Sequence, residues 1–243
     1  MAYLIIDAGN TRIKVFVFEE DTLVLNAVLE IGSFEKKILK IFRDFQIHKT
    51  ILSSVGSFQE RIVAVVSEKS ELVLLSSKTS VPFKNLYGTP NTLGVDRIAL
   101  VSAASVCFPC KNVLIIDAGT CVTFDLLNNK NEYLGGGIAP GLKMRYKALH
   151  TFTEKLPNLE FKDPKELVGK NTEGSIHSGV VNGLVAEVKG VLEQYEQRYP
   201  DLTIVLTGGD MIYLSKRLKN SIFANPNFLI EGLHAILKHE TQK

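Results

Sequence analysis

The chain of 243 residues is 45% hydrophobic and 22% charged, an ordinary globular composition with core material for one large or two modest domains. Its 28 Lys+Arg against 26 Asp+Glu leave a net charge of +2, and with no block of five or six like charges nucleic acid is not an expected partner. Three cysteines form no disulfide framework, no apolar run approaches the ~20 residues that span a bilayer, and Asp7 interrupts the first apolar stretch before a signal-peptide core forms, so a cytoplasmic protein without membrane contact is expected.

The first element is half of a repeat. Leu4-Ile5-Ile6-Asp7-Ala8-Gly9 recurs letter for letter as Leu114-Ile115-Ile116-Asp117-Ala118-Gly119, and each copy continues into β-rich sequence, Thr11–Phe18 and Thr120–Leu127. Each reads as strand, glycine turn, strand, with the Asp at a strand end. Leu23–Ile31 predicts a third strand, and Ser33 caps a predicted helix carrying Phe34, Ile38, Leu39, Ile41, Phe42 and Phe45 on its apolar stripe. Lys49–Ser54 (strand), Phe58–Ser67 (helix) and Glu71–Ser76 (strand) complete a β-β-β-α-β-α-β order, that of a mixed sheet with helical cover.

Thr79–Thr92 holds two prolines and no periodicity, which predicts a surface loop of the kind that carries function. Leu93–Val106 reads as a helix, and the plan restarts at Val113, with three strands expected to end near Gly135. Thr172–Arg198 has helical periodicity throughout, Leu202–Thr207 is a strand, Gly208–Lys219 a helix, and Asn225-Pro226 opens a last helix with Leu229, Leu233, Ile236 and Leu237 inward. The expected fold is α/β: two duplicated domains, 1–112 and 113–243, with mixed sheets facing a central cleft and no flexible linker between them.

Two Asp-Ala-Gly-(Asn/Thr) turns related by an approximate two-fold axis suit a nucleotide. Gly9 and Gly119 let backbone N–H groups approach phosphate, Asn10, Thr11, Thr120 and Thr123 add donors, and Asp7 and Asp117 can hold a cation or its waters. No G-x-x-x-x-G-K-[ST] occurs, which excludes a P-loop, and Gly135-Gly136-Gly137 with Gly141 lacks the Rossmann spacing. Gly94-Val95-Asp96-Arg97 sets an acid and a base at a helix start. It reads either as a dipole-favoured Asp beside a solvated Arg, or as a carboxylate base beside an anion-binding Arg; spacing alone does not choose. Thr207-Gly208-Gly209-Asp210 ends a strand and opens a helix where N–H groups could meet a nucleotide. Cys107-Phe108-Pro109-Cys110 closes a helix rather than opening one, against a redox motif, and zinc would need two more ligands that the five histidines do not space correctly. Lys143, Arg145 and Lys147 read as a solvated helical face.

In order along the chain, Asp7-Ala8-Gly9-Asn10-Thr11, Gly94-Val95-Asp96-Arg97, Asp117-Ala118-Gly119-Thr120-Cys121-Val122-Thr123, Gly136-Gly137-Ile138-Ala139-Pro140-Gly141, Asn171-Thr172 with Ser178-Gly179, and Thr207-Gly208-Gly209-Asp210 resemble the motifs of the type III pantothenate kinases. That family has the actin-like, ribonuclease H-like fold of sugar kinases and Hsp70 ATPases. The resemblance spans nearly the whole chain and implies transfer of the ATP γ-phosphate to pantothenate, the first step toward coenzyme A. It implies that Asp7, Ala8, Gly9, Asn10, Thr11, Arg12, Ile13 and Lys14 form a first phosphate loop, with Asp7 toward Mg²⁺, directly or through water. Asp96 would be the general base; Tyr87, Gly94, Val95, Asp96, Arg97 and Thr172 would contact pantothenate. Thr120, Gly208 and Gly209 would contact ATP, and Asp117 a monovalent cation, K⁺ or NH₄⁺. It also implies a homodimer with the substrate pocket at its interface. Where the family often has Tyr-x-Asn-Pro this chain has Tyr87-Gly88-Thr89-Pro90, an exchange of an amide for a hydroxyl. A sister kinase of another small hydroxyl or carboxylate substrate, or a non-catalytic transcriptional accessory factor of the same fold, are the alternatives; the intact Asp7, Asp96 and Asp117 weigh against the second.

Overall fold

The computed structural model describes residues 2–9, 13–54, 59–218 and 222–241. Two compact units emerge, one of residues 1–107 with 228–243 and one of 108–227.

The first unit holds β1 (Ala2–Ala8), β2 (Ile13–Glu19), β3 (Thr22–Leu29), α1 (Phe34–Asp44), β4 (Ile47–Ser54), α2 (Gln59–Ser67), β5 (Glu71–Leu74), a short β6 (Lys84–Asn85) and α3 (Val95–Cys107). The sheet order is β3-β2-β1-β4-β5. β1 runs antiparallel to β2 and parallel to β4, and β4 runs parallel to β5. β1 lies mid-sheet with Leu4, Ile5 and Ile6 fully buried, which is why its sequence is a continuous apolar run rather than an alternation; each such side chain contributes roughly 1.5–3 kcal/mol. The outer strand β3 alternates exposed and half-buried residues instead. On α1, Phe34, Ile38 and Ile41 face the core, but Leu39, expected on the same stripe, is 46% exposed, because it stands about 100° round the helix from Ile38.

The second unit follows the same plan. β7 (Val113–Ala118), β8 (Cys121–Leu127), β9 (Glu132–Pro140), α4 (Leu142–Thr151), α5 (Thr172–His177), α6 (Gly183–Arg198), β10 (Thr203–Thr207), α7 (Met211–Arg217) and β11 (Ile222–Ala224) follow in order, with α8 (Phe228–Thr241) closing the chain. The strands β9-β8-β7-β10-β11 repeat the first sheet's order, again antiparallel across β9, β8 and β7 and parallel across β7, β10 and β11. The duplication read from the hexapeptide therefore extends to five strands of each sheet. β9 does not stop near Gly135 as expected but continues to Pro140. Its glycines are sheet residues: a Cβ on Gly136 would lie 1.6 Å from the Phe124 carbonyl oxygen, so only glycine lets β9 lie against β8 here.

The last helix belongs with the first unit, whereas the sequence reading assigned everything from 113 onward to the second. α8 packs on α3, β1 and β4. A Cβ on Gly232 would lie 1.8 Å from the Ala99 carbonyl oxygen, so α3 and α8 touch backbone to backbone, and Lys238 pairs with Asp21 at 2.7 Å. Among the described residues no helix is long and apolar enough to cross a membrane.

Candidate active site

In the first unit Asp7 lies at the end of β1, opposite Lys14 on β2 and beside Ser53 on β4. Burial pushes its carboxyl above the ordinary carboxylate value; the Lys14 charge pulls it back and the Asp96 charge pushes it up again. Asp96 is thus within electrostatic reach of Asp7, although 89 positions separate them in the chain. It sits exposed in the first turn of α3, where the helix dipole favours a carboxylate, and its Oδ1 accepts the Arg97 N–H at 2.9 Å. A Cβ on Gly94 would stand 2.4 Å from that same Oδ1, so glycine there leaves the carboxylate its room. Val95, half-buried, begins the helix.

Arg97 is not the solvated neighbour that one reading of the motif gave. It is 5% exposed, with its guanidinium 5.4 Å from the Tyr87 ring centroid, a cation–π contact. Tyr87 is held in turn by its N–H donating to Asn85 Oδ1 at 2.9 Å. The irregular stretch before α3 therefore brings Tyr87, Gly94, Asp96 and Arg97 together. Thr89 uses its hydroxyl locally, accepting from Thr92 Oγ1 at 3.1 Å. Of the expected phosphate loop, Ala8 and Ile13 are buried in the core and paired with each other across β1 and β2, and Gly9 is exposed. Asn10, Thr11 and Arg12 lie outside the described residues.

In the second unit Asp117 ends β7, opposite Thr123 on β8 and Thr207 on β10. Gly208 follows β10 with φ +93°, and a Cβ there would stand 2.4 Å from both the Ala118 carbonyl oxygen and Asp117 Oδ1. The turn is closed by the Asp210 N–H donating to the Ala118 carbonyl at 2.9 Å. Gly209 faces open space, and α7 begins only at Met211, three residues later than the expected start at Gly208. Asp210 has its carboxyl raised by burial, against the nearby charge of Lys143. Thr120 is exposed, and its carbonyl accepts the Gly141 N–H at 3.1 Å, bringing the start of α4 onto the Gly119 turn. Buried Thr123 Oγ1 has no hydrogen-bond partner among the described residues.

Thr172 opens α5, whose N-cap Asn171 accepts the Gly174 N–H at 2.7 Å. It lines an apolar groove of about 1080 Å³ with Met144, Leu149, Phe152, Leu156 and Ile176. The sequence reading did not identify this groove, whose lining is drawn from α4, the segment after it and the start of the later helical run. Arg145, expected on a solvated face, is instead engaged with Glu187 at 2.7 Å and with the Pro140 carbonyl at 2.8 Å. Among the described residues no cluster of three His, Cys, Asp or Glu could by itself hold a metal ion.

A sequence profile of the type III pantothenate kinase family matches residues 3–194. The type III pantothenate kinase of Christiangramia forsetii is 49% identical over 236 residues, 97% of this chain and 97% of that one. Among solved structures, a Campylobacter jejuni protein described as a Baf family transcriptional activator matches with a TM-score of 0.62 at 19% identity, covering 99% of this chain and 100% of that one. The glucokinase of an Antarctic psychrotroph matches with a TM-score of 0.52 at 10% identity, over 98% and 99% of the two chains. At such identities these likenesses are of fold, the actin-like ATPase fold that the resemblance implied.

Proposed function

The chain belongs to the type III pantothenate kinase family, and from that premise we propose how its residues transfer the ATP γ-phosphate to the hydroxyl of pantothenate, giving phosphopantothenate and ADP. It is an ATP-dependent kinase with an alcohol acceptor. The observation that carries the assignment of roles is the placing of Asp96 in the first turn of α3, within reach of Asp7 and with Gly94 clearing space at its Oδ1.

Phosphoryl transfer needs positioning and charge neutralisation rather than a covalent intermediate. Asp96 accepts the hydroxyl proton of pantothenate as the new O–P bond forms and the bond to the β-phosphate oxygen breaks, releasing ADP. Arg97, held against Tyr87, supplies a fixed positive charge for the pantothenate carboxylate. Gly9 and Thr120, both exposed, offer polar groups to phosphate oxygens, and Gly208-Gly209, with no side chains in the way, accommodates the adenosine part. Half-buried Asp7, within electrostatic reach of Asp96, is negative charge that suits Mg²⁺ bound mainly by ATP phosphates and water; the ion would neutralise phosphate charge. Asp117, against the backbone cradle that a Gly208 Cβ would fill, suits K⁺ or NH₄⁺. The cytoplasm, where ATP is made and used, is the proposed location.

The groove beside Thr172 supports a homodimer with the pantothenate pocket at its interface. Phe152 is 85% exposed, and a contiguous apolar surface of this kind marks a protein contact. Light scattering is expected to give a dimer, and Phe152→Lys a monomer with a raised KM for pantothenate; a fully active monomeric parent would overturn the shared pocket. The roles as a whole are tested by ADP release with ATP and Mg²⁺, scanning pantothenate, glycerol, acetate and glucose with K⁺ or only Na⁺. Pantothenate-dependent, K⁺-stimulated release is expected. Turnover only with another acceptor would move the function to a sister kinase, and K⁺-independent turnover would remove the role of Asp117.

A further inference from the structure

The helical run from Thr172 to Arg198 is interrupted. Between α5 and α6, Ser178–Asn182 is wound as a π turn. Such a turn sacrifices α-helical hydrogen-bond alignment, persists where side chains hold it, and is found disproportionately at functional sites. Here the side chains that hold it form a ring. Ser178 Oγ donates to the Leu167 carbonyl, and Asn182 Nδ2 donates to Ser178 Oγ at 3.2 Å. Arg217 Nη2, from the last turn of α7, donates to Asn182 Oδ1 at 2.8 Å. Arg217 Nη1 then donates to Asp163 Oδ1 at 3.0 Å, and the Tyr213 hydroxyl donates to the same oxygen at 2.9 Å.

Both ends of the ring, Asp163 and Leu167, lie in the segment 152–171, which has no helix or strand and is much longer than the usual connection in a compact domain. The segment is pinned further by Phe161 edge-on to Tyr213, with ring centroids 5.0 Å apart, and by Gly169, where a Cβ would stand 2.2 Å from the Ser175 nitrogen. The Tyr213 hydroxyl, pushed up to about 12 by burial and Asp163, remains a donor at any working pH. The segment ends at Asn171-Thr172. Half-buried Asn182 joins the π turn to α7 through its two polar side-chain atoms, and its amide is the donor that orients Ser178 onto Leu167.

We infer that Asn182 is a positioning residue for the acceptor substrate: by locking the π turn to α7 and to the 152–171 segment, it fixes where Thr172 stands. The inference rests on the reading of Thr172 as a pantothenate contact. Since the Arg217–Asp163 pair is partly exposed, at 32% and 55%, the ring adds little to global stability, and its effect is on geometry.

The test is steady-state kinetics of the full chain carrying Asn182→Ala, Thr172→Val, or both, at saturating ATP and Mg²⁺ with pantothenate varied. Asn182→Ala is expected to raise the pantothenate KM about five- to tenfold, the scale of one lost hydrogen bond, with kcat within about twofold. If Asn182 acts through Thr172, the double variant is no worse than Thr172→Val alone. Hydrogen exchange in Asn182→Ala is expected to quicken at 163–176. An unchanged KM for Asn182→Ala beside a raised one for Thr172→Val overturns the role of Asn182 alone. Additive effects overturn its action through Thr172, and an unchanged KM for Thr172→Val overturns the reading of Thr172 itself. If Asn182→Ala does not fold, Asn182→Asp, which keeps an acceptor for Arg217 and loses the amide donor, carries the same test with an expected rise of about two- to threefold.

Discussion

The two copies of Leu-Ile-Ile-Asp-Ala-Gly occupy the same place in sheets of the same order, yet their carboxylates meet different company. Asp7 faces Lys14 across the hairpin and feels Asp96 from α3; Asp117 faces Thr123 and lies under Gly208. A duplicated strand thus supplies the same carboxylate twice, and the cross-strand partner and the element arriving above it decide its use. In the first unit these are a cation and a second acid, which suit metal, phosphate and a proton acceptor. In the second they are a hydroxyl and bare backbone, which suit a weakly held monovalent ion and a nucleotide lying close to the chain.

The sharpest break in that comparison is Asp96→Asn, because the proton acceptor belongs to the first unit alone in the proposed scheme. Removing a general base costs about 10²- to 10⁴-fold in kcat, while an exposed residue in the first turn of α3 leaves the thermal midpoint near that of the parent. A near-parental kcat would take Asp96 out of the chemistry. Gly208→Ala tests the second unit. Its φ of +93° and the two 2.4 Å approaches of a Cβ mean that the turn must rearrange at Asp117, and such strain is of order 1–3 kcal/mol. ATP KM is expected to rise by about tenfold or more through the displaced turn, with Gly209→Ala, which faces open space, much milder.

Much of this contrast is legible in the sequence. The repeated hexapeptide exposed the duplication, and strong apolar runs located β1, β7 and β10, because strands buried on both faces leave no alternation to misread. The G-x-D-R pattern placed Asp96 at a helix start. What escaped was decided by tertiary contact. Ile222–Ala224 is too short to carry a period, Leu39 is apolar but faces outward, and the π turn at Ser178 is held by Arg217 of α7 and by the Leu167 carbonyl. That Arg97 is buried against Tyr87, and that α8 returns to the first unit through Gly232, are likewise facts of packing between distant residues.

Asp7→Asn and Thr123→Val sharpen the comparison from the side of stability. A carboxyl whose folded value is raised binds its proton more readily when folded, so its cost is full above the raised value and vanishes as the pH falls below the ordinary 3.8. Without nucleotide, Asp7→Asn is therefore expected to melt above the parent at pH 7, to lose that advantage in acid, and to have little kinase activity; a lower midpoint at pH 7 would mean that Asp7 is stabilised rather than strained. Thr123→Val replaces a buried hydroxyl with no partner among the described residues by a methyl group of similar shape. A gain of about 1 kcal/mol, or roughly 2–4 °C, is expected without ligand. Weakened K⁺ activation in the same variant would show that the hydroxyl serves the Asp117 side of the turn.

The smallest expected effect concerns the helix that makes the first unit larger than its counterpart in chain order. His234 on α8 stacks on Phe18 with ring centroids 4.3 Å apart and meets Tyr3 edge-on at 5.7 Å, and its buried Nε2 has no hydrogen-bond partner among the described residues. Burial holds its value below the ordinary 6.5; the Asp21 charge and a hydrogen bond to the Glu20 backbone act upward, and the Lys238 charge downward. The unfolded chain therefore takes up this proton first, so the contribution to stability is complete above pH 6.5 and declines as the pH falls through the window just below it. Asp21, whose carboxyl is lowered by its hydrogen bond with Lys238, loses its own contribution only as the pH falls through the ordinary carboxylate value of 3.8 and below, so the two slopes separate in a pH series. His234→Phe keeps the stacked ring and removes the titrating nitrogen. Its thermal midpoint is expected to be flat between pH 7 and 5 where the parent's declines, and a parental slope in the variant would place the titrating group elsewhere than the α8–β2 contact.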